Sequence, residues 1–190
     1  MTKDSWKYQR EMQSRPELIL DHANIVSFIM GIPHQRDSAL MALLYLTGGR
    51  VSEVVKVIAR RDIVFTVRSN REVMLVRMPN RKNKRTLNKT QPVPIDQERV
   101  LAGLIQSFIS TFDDDVPIFD ITPSRAWQIT RKYGYNPHMM RHLRLTHLVI
   151  MYDFNEQLLI RFAGWTDGRP AKHYMELKWS DLLDKMRLVG

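Results

Sequence analysis

The sequence predicts an α+β protein that is mostly helical, with one small three-stranded antiparallel sheet set into it. Two observations carry this. Apolar residues recur at helical spacing through the first quarter of the chain, switch to strict alternation at DIVFTVR, and return to helical spacing after PVPI. Strands and helices therefore come in blocks and do not alternate, which sets the chain apart from parallel α/β folds.

Residues 1–15 are polar and read as an N-terminal arm. Pro16 suits the first turn of a helix over roughly Pro16–Met30, whose Leu18, Ile19, Ile25, Val26 and Ile29 fall close to one face. GIPHQRD breaks it, and Asp37 or Ser38 is placed to cap a second, strongly apolar helix ending at Thr47. Gly48-Gly49 interrupts that helix, and RVSEVVKV reads as a short new one. DIVFTVR and EVMLVRM, separated by the turn signal SNR, read as two strands. A long basic loop, PNRKNKRTLNKTQ, precedes a third short strand, PVPI. Further helices are expected over Asp96–Phe112, Pro123–Lys132, Pro137–Tyr152, Asn155–Phe162, Arg169–Leu177 and Ser180–Leu188, with Asp113–Asp115 as a connecting loop.

Composition narrows the function classes. The chain has 190 residues, enough for one ordinary domain, here 16–190. Its 29 Lys and Arg against 20 Asp and Glu leave a formal charge of +9, which favours a polyanionic partner. The basic residues are spread along the chain and not gathered on one helix face, so nucleic acid is favoured over a membrane surface. The absence of cysteine excludes disulfides, iron–sulfur clusters and a thiol nucleophile. The N-terminus has no apolar signal-peptide stretch and no segment reaches membrane-spanning length, so the expectation is a soluble, cytoplasmic protein.

Four segments carry candidate chemistry. In LTGGRVSEVV, Arg50 follows two glycines at the start of a short helix, and its planar fork matches two phosphate oxygens. Glu53, one turn on, either holds that guanidinium or is solvated. In NPHMMRHLRLTHLV, His138 and Arg141 share a helical face, a titratable imidazole beside a fixed cation. His142 is four residues after His138, but Met139 stands where a metalloprotease needs Glu, so no metal site is assigned. Arg144 and His147 read as packing or solvated residues. In FAGWTDGRPAKHYM, Tyr174 follows Trp165 by nine residues; taken alone, each reads as a core aromatic. The loop NRKNKR is either a solvated hairpin tip or the carrier of a lysine that reaches a phosphate.

Taken in order, these segments resemble the tyrosine recombinases (phage integrases and Xer-type enzymes). LLYLTGGRVSEVV is similar to the family's Thr-Gly-Leu-Arg-[Ile/Val]-Ser-Glu-Leu motif, PHMMRHLRLTHLV to its Pro-His-x-Leu-Arg-His-x-x-x-Thr-His-Leu box, and AGWTDGRPAKHY to its Leu-Gly-His-x(8)-Tyr box. The resemblance covers roughly residues 20–180. Gly49 replaces the family's usual Leu, which is expected to loosen the turn, and Trp165 stands where most members have His and some have Trp. The divergent loop leaves the family's lysine open between Lys82 and Lys84, with Lys82 preferred and Arg81 and Lys89 as outside candidates.

The resemblance implies the tyrosine recombinase catalytic fold and a site-specific recombinase or integrase of double-stranded DNA, of the kind found in mobile elements. Tyr174 would attack the phosphodiester to leave a 3′-phosphotyrosyl bond. Arg50 and Arg141 would hold the non-bridging oxygens, His138 would accept a proton or contact the phosphate, and Trp165 would donate its indole N–H or pack on the pocket. Lys82 or Lys84 would protonate the leaving 5′-oxygen. No cofactor or metal is implied. The family works as a tetramer on two duplexes, so this chain is expected to be monomeric or weakly associated without DNA. The tail, 178–190, would either pack on its own domain or dock on a neighbour. Family members typically carry a separate DNA-clamping domain of roughly a hundred residues, and without one, weak and salt-sensitive binding is expected. Two other functions use the same fold: a type IB topoisomerase-like relaxing activity and a catalytically silent DNA-binding regulator.

Overall fold

A computed structural model describes residues 21–57, 61–79, 88–110, 112 and 116–175. The arm 1–15, residues 16–20, the acidic loop Asp113–Asp115, and the tail 178–190 with its expected helix Ser180–Leu188 lie outside the described residues. So do Arg81, Lys82 and Lys84.

Three helices open the described part: α1 (His22–Met30), α2 (Gln35–Thr47) and the single-turn α3 (Val51–Val54). Then come β1 (Ile63–Arg68), β2 (Arg71–Pro79) and β3 (Asn88–Pro94), followed by α4 (Ile95–Ile109), α5 (Pro123–Lys132), α6 (Pro137–Tyr152), α7 (Glu156–Ala163) and α8 (Arg169–Met175). The sheet is antiparallel in the order β1-β2-β3, so the α+β class is as the sequence predicts.

α2 is the hub. Every residue from Asp37 to Thr47 is buried, which fits a helix that is apolar all round. Its neighbours are α1, α3, α4, α5, α6 and β3. The polar Asp37 near its start is satisfied by Tyr133 Oη, which donates to Oδ2 at 3.1 Å, and by Arg36. Gly48 ends the helix in the left-handed region (φ 52), which a residue without a Cβ adopts at little cost. The β1–β2 hairpin pairs Arg68 with Arg71 and so leaves a two-residue turn. Both turn residues, Ser69 and Asn70, have positive φ (48 and 60), as a twist-compatible tight turn demands.

Several expectations are corrected. The expected helix Pro16–Met30 does not run unbroken: α1 begins at His22, because Asp21 is extended and its side chain caps the helix by accepting from Asn24 N at 2.7 Å. α2 begins at Gln35 with His34 as N-cap, which puts Asp37 and Ser38 inside its first turn. The third strand begins at Asn88, so Asn88–Gln91 belong to the sheet and not to the basic loop, and Ile95 already starts α4. α4 stops at Ile109, short of Phe112. Gly49 does not loosen its turn: a Cβ there would lie 2.8 Å from Val54 Cγ2, 2.9 Å from Thr47 Oγ1 and 3.0 Å from Met78 Sδ. The glycine lets α2, α3 and β2 close on one another.

A second buried feature ties the helices together. Glu98 sits at a kink in α4 (φ −117, ψ 27). Its carboxylate accepts from Arg144 Nη1 and from Tyr152 Oη at 2.8 Å, and meets His22 Nε2 at 2.9 Å. Of the two roles expected for Arg144 and His147, packing is the one seen: Arg144 is one of the most buried side chains, and His147 Nδ1 bonds Tyr45 Oη at 2.7 Å. Burial by itself would raise the Glu98 carboxyl; the Arg144 guanidinium and the three hydrogen bonds reverse this and hold it below the ordinary range.

Two outcomes are expected on chemical denaturation. Glu98→Ala strands the Arg144 charge in the interior and should cost about 3–5 kcal/mol, read as a fall in the urea midpoint. Gly49→Leu should destabilise by about 1–3 kcal/mol through overpacking.

Candidate active site

The site is built around α6. Asn136 caps that helix by accepting from Met139 N at 3.0 Å, and Pro137 occupies its first turn, where no N–H is needed. One turn in, Arg141 is 7% exposed. Its Nη1 donates to the carbonyl of Gly48 and its Nη2 to the carbonyl of Ala163 at 2.8 Å. These two carbonyls are at the C-terminal ends of α2 and α7, where helices leave acceptors unsatisfied and carry partial negative charge. Among the described residues no carboxylate pairs with Arg141. Burial, and then the like charge of Arg50, push its pKa down to about 10, while Tyr174 and Glu53 act in the opposite sense. It remains a cation at neutral pH.

Arg50 is the N-cap of α3. Glu53 resolves the choice the sequence left open: it holds the arginine. Oε1 accepts from Arg50 Nη1 at 2.8 Å and Oε2 accepts from the Arg50 backbone N–H at 3.0 Å. The Glu53 side chain is fully buried.

The same carboxylate meets a second cation. Lys89 Nζ lies 2.9 Å from Glu53 Oε2, close enough for an ion pair, although its alignment falls outside hydrogen-bond geometry. On β3, Lys89, Gln91 and Val93 share one face, and their partners across the sheet are Met78, Val76 and Met74, all fully buried. Gln91 also donates its side-chain amide to the carbonyl of Phe162, tying β3 to the end of α7. Burial, countered by Glu53 and reinforced by Arg141, lowers Lys89 to about 8. From sequence, Lys89 is only an outside candidate. The phase of Gln91 and Val93 on the buried face is the signal that marks it, but that signal depends on a strand starting at Asn88.

α7 ends at Gly164 in the left-handed region (φ 66), which turns the chain toward Trp165. The Arg141 guanidinium carbon stands 5.6 Å from the Trp165 ring centroid, within cation–π range. The Trp165 and Tyr174 rings lie 5.9 Å apart at 24°. Tyr174 is on α8, and its hydroxyl bonds His142 Nδ1, with the two rings 5.5 Å apart at 28°. Burial raises the Tyr174 phenol above its ordinary value, against the opposing pull of Arg141.

The structure thus brings Arg50, Arg141, Trp165 and Tyr174 into one neighbourhood. His138 is on the first turn of α6 with its side chain exposed. It is His142, one turn further on, that meets the tyrosine hydroxyl. The sequence considered His142 only as a metal partner of His138, and its contact with Tyr174 could not be read without the placement of α8. Lys82 and Lys84 lie outside the described residues. Among the described residues no group of three or more His, Asp or Glu side chains has metal-binding geometry, and no helix is long and apolar enough to cross a membrane.

A pH effect follows from Lys89. Its folded-state pKa of about 8 lies below the ordinary lysine value, so the unfolded chain binds the extra proton between these two points. Stability should therefore rise as pH increases from about 8 toward 10, and Lys89→Met should flatten that rise. Urea midpoints measured across this range check it.

No sequence-family model matches the chain, and no curated protein matches it by sequence. Solved structures do match. XerA recombinase superposes with a TM-score of 0.61 at 18% identity, over 89% of this chain and 64% of that one. XerH site-specific recombinase bound to its difH substrate gives 0.62 at 14% identity, over 86% and 51%. The Tn1549 transposon integrase in complex with transposon right end DNA gives 0.57 at 19% identity, over 90% and 66%. The chain spans less than two thirds of the length of each of these proteins. Its arrangement of helices around a three-stranded antiparallel sheet is the tyrosine recombinase catalytic fold.

Proposed function

We propose that this chain is the catalytic domain of a site-specific recombinase or integrase, one that cleaves and rejoins double-stranded DNA through a 3′-phosphotyrosyl intermediate on Tyr174. The observation that carries this reading is the gathering of Arg50, Trp165 and Tyr174, from two other segments of the chain, around the buried Arg141, which pairs with no carboxylate among the described residues. A cation held by neutral carbonyls keeps its charge for an incoming anion. The solved complexes of XerH and of the Tn1549 integrase with DNA, together with the surplus of basic residues in this chain, favour DNA as that anion.

In this reading Arg50 and Arg141 bind the non-bridging oxygens of the scissile phosphate and stabilise the charge that grows there in the transition state. Trp165 braces Arg141 and Tyr174 from one side. His138, exposed at the helix start, contacts the phosphate from the solvent side. Tyr174 attacks phosphorus, the 5′-oxygen leaves with a proton from Lys82 or Lys84, and attack by a second 5′-hydroxyl reverses the step. The phosphodiester energy is kept in the covalent bond, so the cycle needs no metal or nucleotide. Four copies assemble on two duplexes, with the tail 178–190 reaching a neighbouring copy, in the cytoplasm where DNA is accessible.

A substrate nicked beside the cleavage site, so that the short leaving strand diffuses away, tests the reading. The wild-type chain should become covalently attached to DNA and Tyr174→Phe should not; an adduct formed by Tyr174→Phe removes the assigned nucleophile. Arg50→Ala and Arg141→Ala should slow adduct formation far more than they weaken DNA binding, because the lost contact acts mainly in the transition state. Comparing supercoil relaxation with joining between two sites separates recombination from a relaxing enzyme. DNA binding without any adduct would leave the silent regulator.

A further inference from the structure

We propose that His142 is the proton acceptor that activates Tyr174. The inference rests on the phosphotyrosyl reading and deepens it by naming the group that makes the phenol nucleophilic.

A phenol is mostly protonated at neutral pH, and at this site burial pushes Tyr174 further in that direction. It therefore needs a base within hydrogen-bond reach. The Tyr174 hydroxyl bonds Nδ1 of His142. In the tautomer with hydrogen on Nε2, Nδ1 presents its lone pair and the phenol donates to it. The near-parallel rings, 28° apart on the His142 side and 24° on the Trp165 side, flank the phenol and limit its swing. His142 also sits on a rigid element. It is the residue after Arg141 on the sixteen-residue α6, so one helix offers a cation to the phosphate and a base to the nucleophile. His138, the histidine the sequence first marks for this task, is one turn away and exposed, and the hydroxyl contact goes to His142 instead.

The step balances as follows. The Tyr174 O–H bond breaks and its proton passes to His142 Nδ1, leaving an imidazolium. The Oη–P bond forms while the P–O5′ bond breaks, and the 5′-oxygen takes its proton from a separate acid. In rejoining, a 5′-hydroxyl attacks phosphorus and gives its proton back to the deprotonated acid, the Oη–P bond breaks, and the imidazolium returns its proton to the phenolate.

The test is single-turnover adduct formation on the nicked DNA substrate with saturating DNA. His142→Gln keeps a hydrogen-bonding side chain of similar reach but cannot take a proton. It should form adduct roughly a hundredfold more slowly or worse, with DNA affinity unchanged. Replacing Tyr174 in that variant with a ring-fluorinated tyrosine, a more acidic phenol, should recover a large part of the lost rate. A His142→Gln rate equal to wild type, or no recovery with the acidic phenol, overturns the inference. If the wild-type chain forms no adduct at all, the phosphotyrosyl reading falls first and takes this one with it. A measurement on the wild-type chain alone stands beside these. Nitrogen NMR of labelled histidine at neutral pH should show His142 unprotonated at Nδ1, and a protonated Nδ1 overturns the assignment even where the variant does not fold.

Discussion

The arrangement of the site depends on one side chain, the buried fork of Arg141. Its two terminal nitrogens join the C-terminal carbonyls of α2 and α7, elements far apart in sequence. One of those carbonyls belongs to Gly48, two residues before Arg50; the other belongs to Ala163, two residues before Trp165. Fixing these two helix ends therefore fixes the start of the segment that carries each of the other two groups. The guanidinium itself lies against Trp165, which lies against Tyr174. The packing of Gly49 against Val54, Thr47 and Met78 holds the Arg50 side of this junction with no room for a side chain.

α6 carries two buried arginines three residues apart, and their surroundings show how structure and chemistry divide. Arg144 pairs with the buried Glu98, stands within cation–π distance of Tyr45 and Tyr152, and belongs to a closed network reaching α1, α2 and α4. Its charge is spent on holding the fold together. Among the described residues Arg141 is met by two neutral carbonyls and the Trp165 ring, and by no carboxylate. Nearby, Arg50 and Lys89 share one carboxylate, Glu53. Among the described residues, three cations against one carboxylate leave the site positive in a setting of low polarisability. Such an imbalance is tolerable when an anion completes it, since an ion left without a partner in the interior is costly.

Much of the fold was legible because its signals are local. The switch between period 3.6 and period 2 located the sheet, and the return to helical spacing after PVPI placed α5 and α6 with the bounds they have. The errors came where tertiary pairing overrides local signals. Polar Asn88–Gln91 reads as loop, yet pairing with β2 makes it strand, and only then does Lys89 fall on the buried face. Asp21 breaks a helix whose apolar spacing runs on through it. Gly49 looked like slack and is instead a point of close packing.

The sequence by itself determined the order of elements, the α+β class and the residue types available for phosphate chemistry, because these follow from spacing along the chain. It could not determine which of two neighbouring histidines meets Tyr174, whether Glu53 is solvated or shared, or which arginine on α6 is neutralised. Those questions turn on distances between segments that are 32 to 46 residues apart in the chain. Such distances are set by how helix ends and a sheet edge pack around one buried cation, and no local pattern of residues encodes them.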